Sequence, residues 1–432
     1  MRFVRARALL QIVAPQMLPP ARALTTRSTQ RLGSTQPQSR RRVVGAVALA
    51  ASICVIGASI VPTERASAAP TTGRIAYSCD ASTKKHKLLE LCAVVPGSAP
   101  VHLTHGASPV VGETWSPDGT QVAMVCDWQR QSGQGGFPVR DLIDFGPDGF
   151  SRNGGGELCV AAADGSRGKV LTQTQGGAQA PAWSPDGSLI AFAVGNGVAQ
   201  VDPSSTAPAS SGDGLYVIAP DGSGQRKLLT ADDNSEAADF PSWSPDGRHL
   251  AFTMDHAINV TGLDGTDAHP ISSADGIDVG ASWSPDGTMI AFTRFTADDH
   301  RELWITATDG SGARKLITSP TFDNPNTGYD FTPQWSPDST RLAVTTATHG
   351  HAQIEVVTVA DATAKVVTPP TTKKKAIGSI CATWSPDGTT LAFLDDRTGG
   401  AFDLYTVAAN GSRLTQITKD PTEEFSPSWR PS

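Results

Sequence analysis

The chain has 432 residues, of which 39% are hydrophobic and 18% are charged, a balance typical of a soluble protein with a large core or a series of repeats. Its formal net charge is −7, but residues 1–68 contain ten arginines and one acid, which leaves 25 basic and 41 acidic residues in the rest of the chain. Such an acidic body argues against nucleic acid and anionic membranes as main partners.

The first 68 residues have the features of a basic leader followed by a signal peptide. Three arginines at 40–42 stand directly before an apolar run from Val43 to Val61, and an A-x-A cleavage signal follows at 66–68. This predicts export by the Sec or the twin-arginine route and an extracytoplasmic location, secreted or periplasmic. The alternative is an uncleaved membrane anchor, because a run of 19 residues is just long enough to cross a bilayer.

One motif, Trp-Ser-Pro-Asp-Gly, recurs through residues 69–432. Its tryptophans are Trp115, Trp183, Trp243, Trp283 and Trp384, with a sixth copy at Trp335 in which Ser339 replaces the glycine and an eroded copy around Trp429. In the six copies an aliphatic residue seven positions after the tryptophan begins an apolar run such as "IAF". Proline and aspartate suit a type I turn, and glycine takes the left-handed position that closes the loop. The motif predicts a hairpin of strands A and B whose aspartates form turns, with a positive φ or a shifted turn at Ser339.

A second hairpin follows each motif. "LYVIAPDGSGQRKLLT" and "LWITATDGSGARKLIT" have alternating apolar strands around Asp-Gly, and four looser copies have the same layout. These segments add strands C and D. At the ends of the repeat region, 73–104 supplies strands B, C and D of a further unit, and 427–431 supplies a lone strand A. We therefore predict an all-β fold, a seven-bladed β-propeller of four-stranded antiparallel blades, closed by the C-terminal strand completing the first blade.

The pattern "WSPDG…IAF…LY…DGSG…LT" resembles the TolB-like (WD40-like, PD40) β-propeller repeat family over nearly all of residues 69–432. The resemblance implies the fold strongly and the function weakly, because propellers host many functions. Related repeats also build the propellers of dipeptidyl-peptidase-like proteins and oligogalacturonate lyases. TolB itself has six blades after an α/β domain, and the seven blades predicted here argue against a role in a Tol–Pal system. The motif tryptophans are expected to pack between blades rather than to form a ligand cage.

Four of the six cysteines occupy matching places in the first two blades. Cys79 and Cys126 follow the apolar run of strand B, and Cys92 and Cys159 lie on strand C. Adjacent antiparallel strands bring such residues within disulfide reach, and export makes oxidation possible. We predict the disulfides Cys79–Cys92 and Cys126–Cys159, with reduced buried pairs as the alternative, and expect Cys381 to be free.

Acidic residues precede several A strands, where the D–A connections approach the central channel. They are Asp239, Asp278, Asp330 and Glu424. Together they would form a site for a cation or a basic peptide at the channel mouth, although solvated loop acids that cap or form turns are the alternative. No other metal or cofactor is predicted.

The B–C and D–A connections share one face of the disc and contain nearly all the length variation, so this face is predicted to bind a partner. Asp239, Tyr329 and Asp330 are expected near its centre, and the insert at 127–156, with Trp128, at its rim. The alternative is that these Gly- and Ser-rich inserts are disordered excess.

The sequence contains no G-x-S-x-G elbow, phosphate loop, H-E-x-x-H helix or C-x-x-C pair. The leading hypothesis is therefore an exported, monomeric, non-enzymatic module that binds a protein, a peptide or a cell-envelope glycan. A polysaccharide-active enzyme similar to oligogalacturonate lyases is the alternative, with histidines and acids on the disc. Its candidates lie between strands B and C: His256, His300, His349 and His351. An inert ectodomain of an anchored protein is the third possibility.

Overall fold

The structure is a computed structural model, and it describes residues 73–80, 89–104, 110–126, 156–172, 177–194, 213–230, 238–273, 275–298, 300–320, 332–348, 350–371, 376–398, 401–419 and 424–431. All regular secondary structure in these ranges is β-strand. The leader, with its apolar run from Val43 to Val61, lies outside them.

The described chain contains 28 strands. The first fourteen are β1 (Ile75–Asp80), β2 (Leu89–Val94), β3 (Val101–His102), β4 (Val110–Trp115), β5 (Gln121–Cys126), β6 (Glu157–Ala162), β7 (Lys169–Val170), β8 (Ala178–Trp183), β9 (Ile190–Val194), β10 (Gly214–Ile218), β11 (Arg226–Thr230), β12 (Asp239–Trp243), β13 (His249–Met254) and β14 (Ala257–Gly262). The others are β15 (His269–Pro270), β16 (Ile277–Trp283), β17 (Met289–Phe295), β18 (His300–Ala307), β19 (Arg314–Pro320), β20 (Gln334–Trp335), β21 (Arg341–Thr348), β22 (His351–Thr358), β23 (Ala364–Val366), β24 (Ser379–Trp384), β25 (Thr390–Asp395), β26 (Asp403–Ala408), β27 (Thr415–Gln416) and β28 (Phe425–Trp429).

The strands form seven four-stranded antiparallel sheets, the blades of one propeller. Blades 2 to 7 each consist of four consecutive strands, starting with β4–β7 and ending with β24–β27. Blade 1 is composite, with the order β28-β1-β2-β3. In each blade we call the strands A to D in this spatial order.

The C-terminal strand closes the ring as the sequence predicts. Trp429 lies opposite Ile75 and Ser428 opposite Ala76, and the Arg430 N–H donates to the Arg74 carbonyl at 2.8 Å. The β28–β1 pairing removes the two unpaired sheet edges that the first and last segments would otherwise expose.

In the described residues, seven large hydrophobic clusters lie at the junctions of successive blades, and an eighth, small cluster contains Ala180 and Phe240. The cluster between blades 7 and 1, for example, contains Leu394 and Leu404 from one side and Tyr77 and Trp429 from the other. Burying a large apolar side chain contributes about 1.5–3 kcal/mol, so the blades stabilise one another rather than standing alone.

The motif tryptophans join the blades, as predicted. Five indole N–H groups donate to the backbone carbonyl just before the tryptophan of the preceding blade. These bonds, 2.9–3.1 Å long, are Trp115 to Ser428, Trp183 to Thr114, Trp243 to Ala182, Trp335 to Ser282 and Trp384 to Gln334. The first of them crosses the closure, so blade 1 joins blade 2 in the same way as the continuous blades join each other.

Every A–B turn uses the same hydrogen bonds. In blade 3 the Ser184 hydroxyl donates to Asp186 at 2.6 Å and accepts the Leu189 N–H at 2.9 Å, while Asp186 accepts the Ser188 N–H at 3.0 Å. The bond from Ser184 is the largest cause that lowers the pKa of Asp186, followed by the Ser188 N–H. The motif aspartates are thus turn formers, and Ser339 keeps the turn by taking a φ of 58°.

The A strands share a feature that the sequence analysis did not anticipate, a bulge three residues before the tryptophan. The bulged residue has a positive φ between 45° and 68° in six blades. These residues are Gly112, Ala180, Phe240, Gly280, Cys381 and Ser426. In blade 5 two residues of strand A, Gly280 and Ala281, stand opposite Phe292 alone. The bulge therefore changes the direction of the side chains that precede it on strand A. The predicted site acids are among them.

Candidate binding face

The two faces of the propeller differ in their connections. The A–B turns contain five or six residues in blades 2 to 7, whereas the B–C connections range from two residues in blade 4 to 30 in blade 2. Because the strands alternate in direction, the B–C and D–A connections lie together on one face, which we call the variable face. The A–B and C–D turns form the turn face.

Asp278 lies fully buried under the variable face in an ion pair with Arg294. The guanidinium donates from Nε to Oδ1 at 2.6 Å and from Nη2 to Oδ2 at 2.7 Å. Arg294 also donates to the Ser273 carbonyl at 3.1 Å, and its guanidinium lies 4.6 Å from the centroid of the Trp304 ring. The hydrogen bonds to Asp278 raise the pKa of Arg294 above its ordinary value. Asp278 is therefore already neutralised by an internal partner.

Blade 7 has a second such pair, which the sequence analysis missed. Asp395 is buried and accepts two bonds from the Arg397 guanidinium, at 2.8 and 2.5 Å, and one from the Ser379 hydroxyl at 2.5 Å. The guanidinium lies 5.2 Å from the centroid of the Tyr405 ring. The two pairs occupy the same register position of their blades. In blade 5 the acid, Asp278, is on strand A and lies opposite Arg294 on strand B. In blade 7 the acid, Asp395, is on strand B and lies opposite Ser379 on strand A.

Asp239 differs from Asp278 because no arginine, lysine or histidine in the described part of the chain forms an ion pair with it. It is buried in strand A of blade 4, and its Oδ1 accepts the Phe240 N–H at 2.8 Å. Burial raises its pKa to about 7, which outweighs the effect of that hydrogen bond. The carboxyl group therefore titrates close to neutral pH beneath the variable face.

Glu424 lies at the end of the last D–A connection, which leads from blade 7 to blade 1, and anchors it to blade 7. Its Oε2 accepts the Leu404 N–H at 2.8 Å and the Thr418 hydroxyl at 2.6 Å, and the side chain is buried. Among the described residues, Asp239, Asp278 and Glu424 do not bring three ligand atoms together around one point. The remaining predicted residues Trp128, Tyr329 and Asp330, and also His349, lie outside the described ranges. The channel-mouth cation site stays a prediction.

Two of the candidate histidines contact backbone carbonyls of connections on the variable face, His300 in its own loop and His351 in the next D–A connection. His300 Nδ1 lies 3.0 Å from the Asp298 carbonyl, and His351 Nδ1 lies 2.8 Å from the Ala376 carbonyl. His256 stands in the two-residue turn between β13 and β14 with a φ of 60°. These contacts agree with loop roles for the three residues.

Glu113 is a buried acid that sequence reasoning did not single out. It lies two residues before Trp115, a position at which the other A strands have only proline or alanine. A charged residue at this position is the sequence feature that could have identified it. The Ser78 hydroxyl donates to Glu113 Oε2 at 2.9 Å across the junction of blades 1 and 2. Oε1 is buried without a hydrogen-bond partner among the described residues. Burial raises the pKa of Glu113 to about 8, against the smaller opposite effect of Ser78, so the group is a neutral acid at pH 7.

The structure forms the two predicted disulfides. Cys79–Cys92 and Cys126–Cys159 each join strands B and C, with Cα atoms 5.8 and 5.9 Å apart. In both blades the two cysteines are diagonal rather than directly opposite neighbours. The expectation of a free Cys381 is wrong: this residue, at the bulge of blade 7, is disulfide-bonded to a partner outside the described ranges.

The repeat architecture agrees with the comparison to known families. The family model PD40, described as the TolB beta propeller domain, matches residues 155–324 and 254–432, more than half of the chain. The chain belongs to this TolB β-propeller family.

Individual relatives of this propeller match shorter stretches or the fold alone. The Tol-Pal system protein TolB of Anaeromyxobacter dehalogenans is 31% identical over 97 residues, which are 22% of this chain and 21% of that protein. The uncharacterized peptidase YuxL of Bacillus subtilis is 44% identical over 48 residues, 11% of this chain and 7% of that one. The aligned regions thus span about a fifth of the TolB relative and less of the peptidase.

Among solved structures, an oligogalacturonate lyase in complex with manganese superposes with a TM-score of 0.54 at 11% identity, covering 78% of this chain and 86% of that one. At this identity the likeness concerns the fold. In the described part of the propeller, no helix is long and apolar enough to cross a membrane.

Proposed function

We propose that this chain is an exported, non-enzymatic interaction module that binds a protein, a peptide or an envelope glycan on its variable face. The observation that carries the proposal is the contrast between the two faces. The turn face repeats one short, internally hydrogen-bonded turn, whereas the variable face carries connections of 2 to 30 residues above a fixed ring of blades. Binding residues tend to lie on variable loops that a rigid scaffold positions.

The ion pairs under the variable face support a rigid platform. Arg294 and Arg397 each hold a buried carboxylate and lie over an aromatic ring, so their side chains lose little freedom when a partner binds above them. Preorganisation of this kind lowers the entropic cost of association.

The disulfides support export. Structural disulfides persist mainly in secreted, periplasmic and cell-surface proteins, and the two B–C disulfides fit the signal peptide predicted at residues 1–68. A monomer fits a ring that closes within one chain, because β28 pairs with β1 of the same chain rather than with a second copy.

The experiment is a face-specific capture. The full chain is immobilised and incubated with envelope extract, and bound protein and glycan are identified and then measured with purified material. The variable-face variant is Asp239→Asn/Tyr329→Ala/Asp330→Asn, and the control variant on the turn face is Gln225→Ala/Arg248→Ala. We expect at least a tenfold weaker affinity for the first variant and no change for the second. Loss of binding only in the turn-face variant would contradict the proposal.

The same protein tests the enzyme hypothesis. A screen of polyuronides and other polysaccharides, with and without added Mn²⁺, looks for new unsaturated or reducing ends. The oligogalacturonate lyase with the similar fold is in complex with manganese, which makes this the first metal to add. Turnover that is lost in His351→Ala, a variant outside the capture experiment, would favour the enzyme over the binding module.

A further inference from the structure

Four side chains with metal-binding chemistry meet on strands B, C and D of blade 1. They are Cys79, Glu90, Cys92 and His102. His102 Nδ1 lies 3.5 Å from Cys92 Sγ, 3.8 Å from Cys79 Sγ and 2.9 Å from Glu90 Oε2. The two cysteines are buried, whereas the His102 side chain is 48% exposed, so the group is reached from solvent through the imidazole. In the described part of the chain, only the two cysteines and His102 bring three such ligand atoms together.

The distances match those of a tetrahedral metal site. Zinc binds sulfur at about 2.3 Å and imidazole nitrogen at about 2.0–2.1 Å, which places a sulfur and a nitrogen ligand about 3.6 Å apart. The two nitrogen–sulfur distances, 3.5 and 3.8 Å, already have this spacing. The covalent bond between the two sulfurs is what prevents them from binding a metal ion together.

We propose that Cys79, Cys92 and His102 form a redox-controlled site for zinc or another thiophilic divalent cation, with Glu90 beside the imidazole. A dithiol reductant supplies two electrons and two protons, which convert the disulfide into two thiols while the reductant becomes a disulfide. The cation then displaces the two thiol protons. His102 binds through Nδ1 as a neutral imidazole whose proton is on Nε2. This site is independent of partner binding on the variable face.

Blade 2 contains a natural control for this site. Cys126–Cys159 has the same diagonal register, and Glu157 lies opposite Cys126 just as Glu90 lies opposite Cys79. Val170, however, lies opposite Cys159 where His102 lies opposite Cys92. Glu157 also accepts a hydrogen bond from the Thr172 hydroxyl at 2.8 Å. Blade 2 therefore has the thiols without the imidazole.

The test compares full-length variants that each retain one of the two B–C disulfides, both in a Cys381→Ser background so that this thiol does not compete for the metal. Cys126→Ala/Cys159→Ala keeps the blade 1 pair, and Cys79→Ala/Cys92→Ala keeps the blade 2 pair. Each is reduced with a phosphine, freed of reductant without air and titrated with Co²⁺ and then with competing Zn²⁺. We expect one Co²⁺ per chain in the first variant, with thiolate charge-transfer and tetrahedral absorption bands, and binding about 100-fold weaker in the second. Adding His102→Val to the first variant is expected to weaken binding to the level of the second.

Equal affinity in the two single-disulfide variants, or an unchanged affinity after His102→Val, would overturn the proposal. Near-UV circular dichroism monitors the fold during reduction. If the reduced blade 1 variant loses its native spectrum, Zn²⁺ is expected to restore it, and failure to restore it would also reject the site. Metal binding by the oxidised chain at the same affinity would show that the disulfide does not control it.

Discussion

In blades 1 and 2 a disulfide joins strands B and C, whereas the equivalent position of blade 5 holds Arg294 against the indole of Trp304. The registers correspond residue by residue: Cys79 and Arg294 each lie opposite a glutamate, Glu90 and Glu302. On strand D, His102 pairs with Glu90 in the same way as Lys315 pairs with Glu302.

Strands B and C are thus linked at the same position in two different ways, by a disulfide in blades 1 and 2 and by charged groups in blade 5. The disulfide links only strands B and C, and its strength depends on redox conditions rather than on charge. Arg294 also reaches Asp278 on strand A, and Glu302 accepts bonds from Trp304 and Lys315, so blade 5 links all four strands through charged groups. We therefore expect the stability of blade 5 to fall when a charge is removed, and the stability of blades 1 and 2 to fall when the disulfide is removed.

The largest expected effect is in blade 5. Arg294→Met leaves the Asp278 carboxylate buried without its cation, which typically destabilises a protein by about 3–5 kcal/mol. The free energy of unfolding in urea measures this loss. The control is Asp278→Asn/Arg294→Met, which removes both charges and should recover much of the stability. An equal loss in both variants would mean that packing around Trp304, not charge, holds this position.

The disulfides come next. Cys126–Cys159 closes a separation of 33 residues and Cys79–Cys92 one of 13. Restriction of the unfolded chain then contributes about 4 and about 3 kcal/mol respectively. Double alanine variants of each pair, compared by urea unfolding under oxidising conditions, should show the larger loss in blade 2. The reverse order would indicate that contacts specific to blade 1, rather than loop length, determine the stabilisation.

The stability of the junction between blades 1 and 2 should also depend on pH in a way that the blade 5 pair does not. Asp278 is paired with Arg294, but Glu113, between blades 1 and 2, is a buried acid with a pKa raised from 4.5 to about 8. Because the unfolded chain releases this proton at lower pH, the folded state loses stability as pH rises from about 4.5 to about 8, by at most about 1.4 kcal/mol per pH unit. Glu113→Gln should remove this loss, so its advantage over the parent chain should grow with pH in urea unfolding series. Parallel pH profiles for the two proteins would rule out a buried neutral acid.

The smallest effect concerns the turn between strands A and B of blade 6. Ser339 has a φ of 58°, but its hydroxyl accepts the Asp286 N–H of blade 5 at 3.0 Å. Ser339→Ala keeps the strained backbone and loses the bond, and should cost about 1 kcal/mol. Ser339→Gly loses the same bond but relieves the backbone, and should lie closer to the parent in thermal unfolding. If glycine is the worse replacement, the interblade bond matters more than the strain.

The sequence was sufficient for the fold because its signals are local and repeated. The Ser-Pro-Asp-Gly turns, the Asp-Gly hairpins and the fragments at the two ends predict seven blades, their closure and both B–C disulfides. The bulge three residues before six of the seven motif tryptophans was not predictable, because alanine, phenylalanine, cysteine and serine occupy four of the positions with a positive φ that propensity assigns to glycine.

The candidate site was less predictable, for a related reason. A bulge changes which strand B residue each acid meets, so the partnership of Asp278 with Arg294 cannot be read from spacing along the chain. Asp278 and Glu424 were expected either to line the channel mouth or to be solvated loop acids, and both are buried in internal bonds. Cys381 was expected to be free because the four cysteines at matching places of blades 1 and 2 pair with each other, but it is disulfide-bonded.

The tryptophan ring also gives this protein a set of built-in spectroscopic probes. Five motif indole N–H groups are hydrogen-bonded across a blade junction, while those of Trp283 and Trp429 are buried without a hydrogen-bond partner among the described residues. In an ¹⁵N-tryptophan-labelled sample, each bonded indole resonance reports on one junction. A ligand, a reductant or a substitution that loosens a single junction would then be located by the one signal that shifts or exchanges with deuterium first.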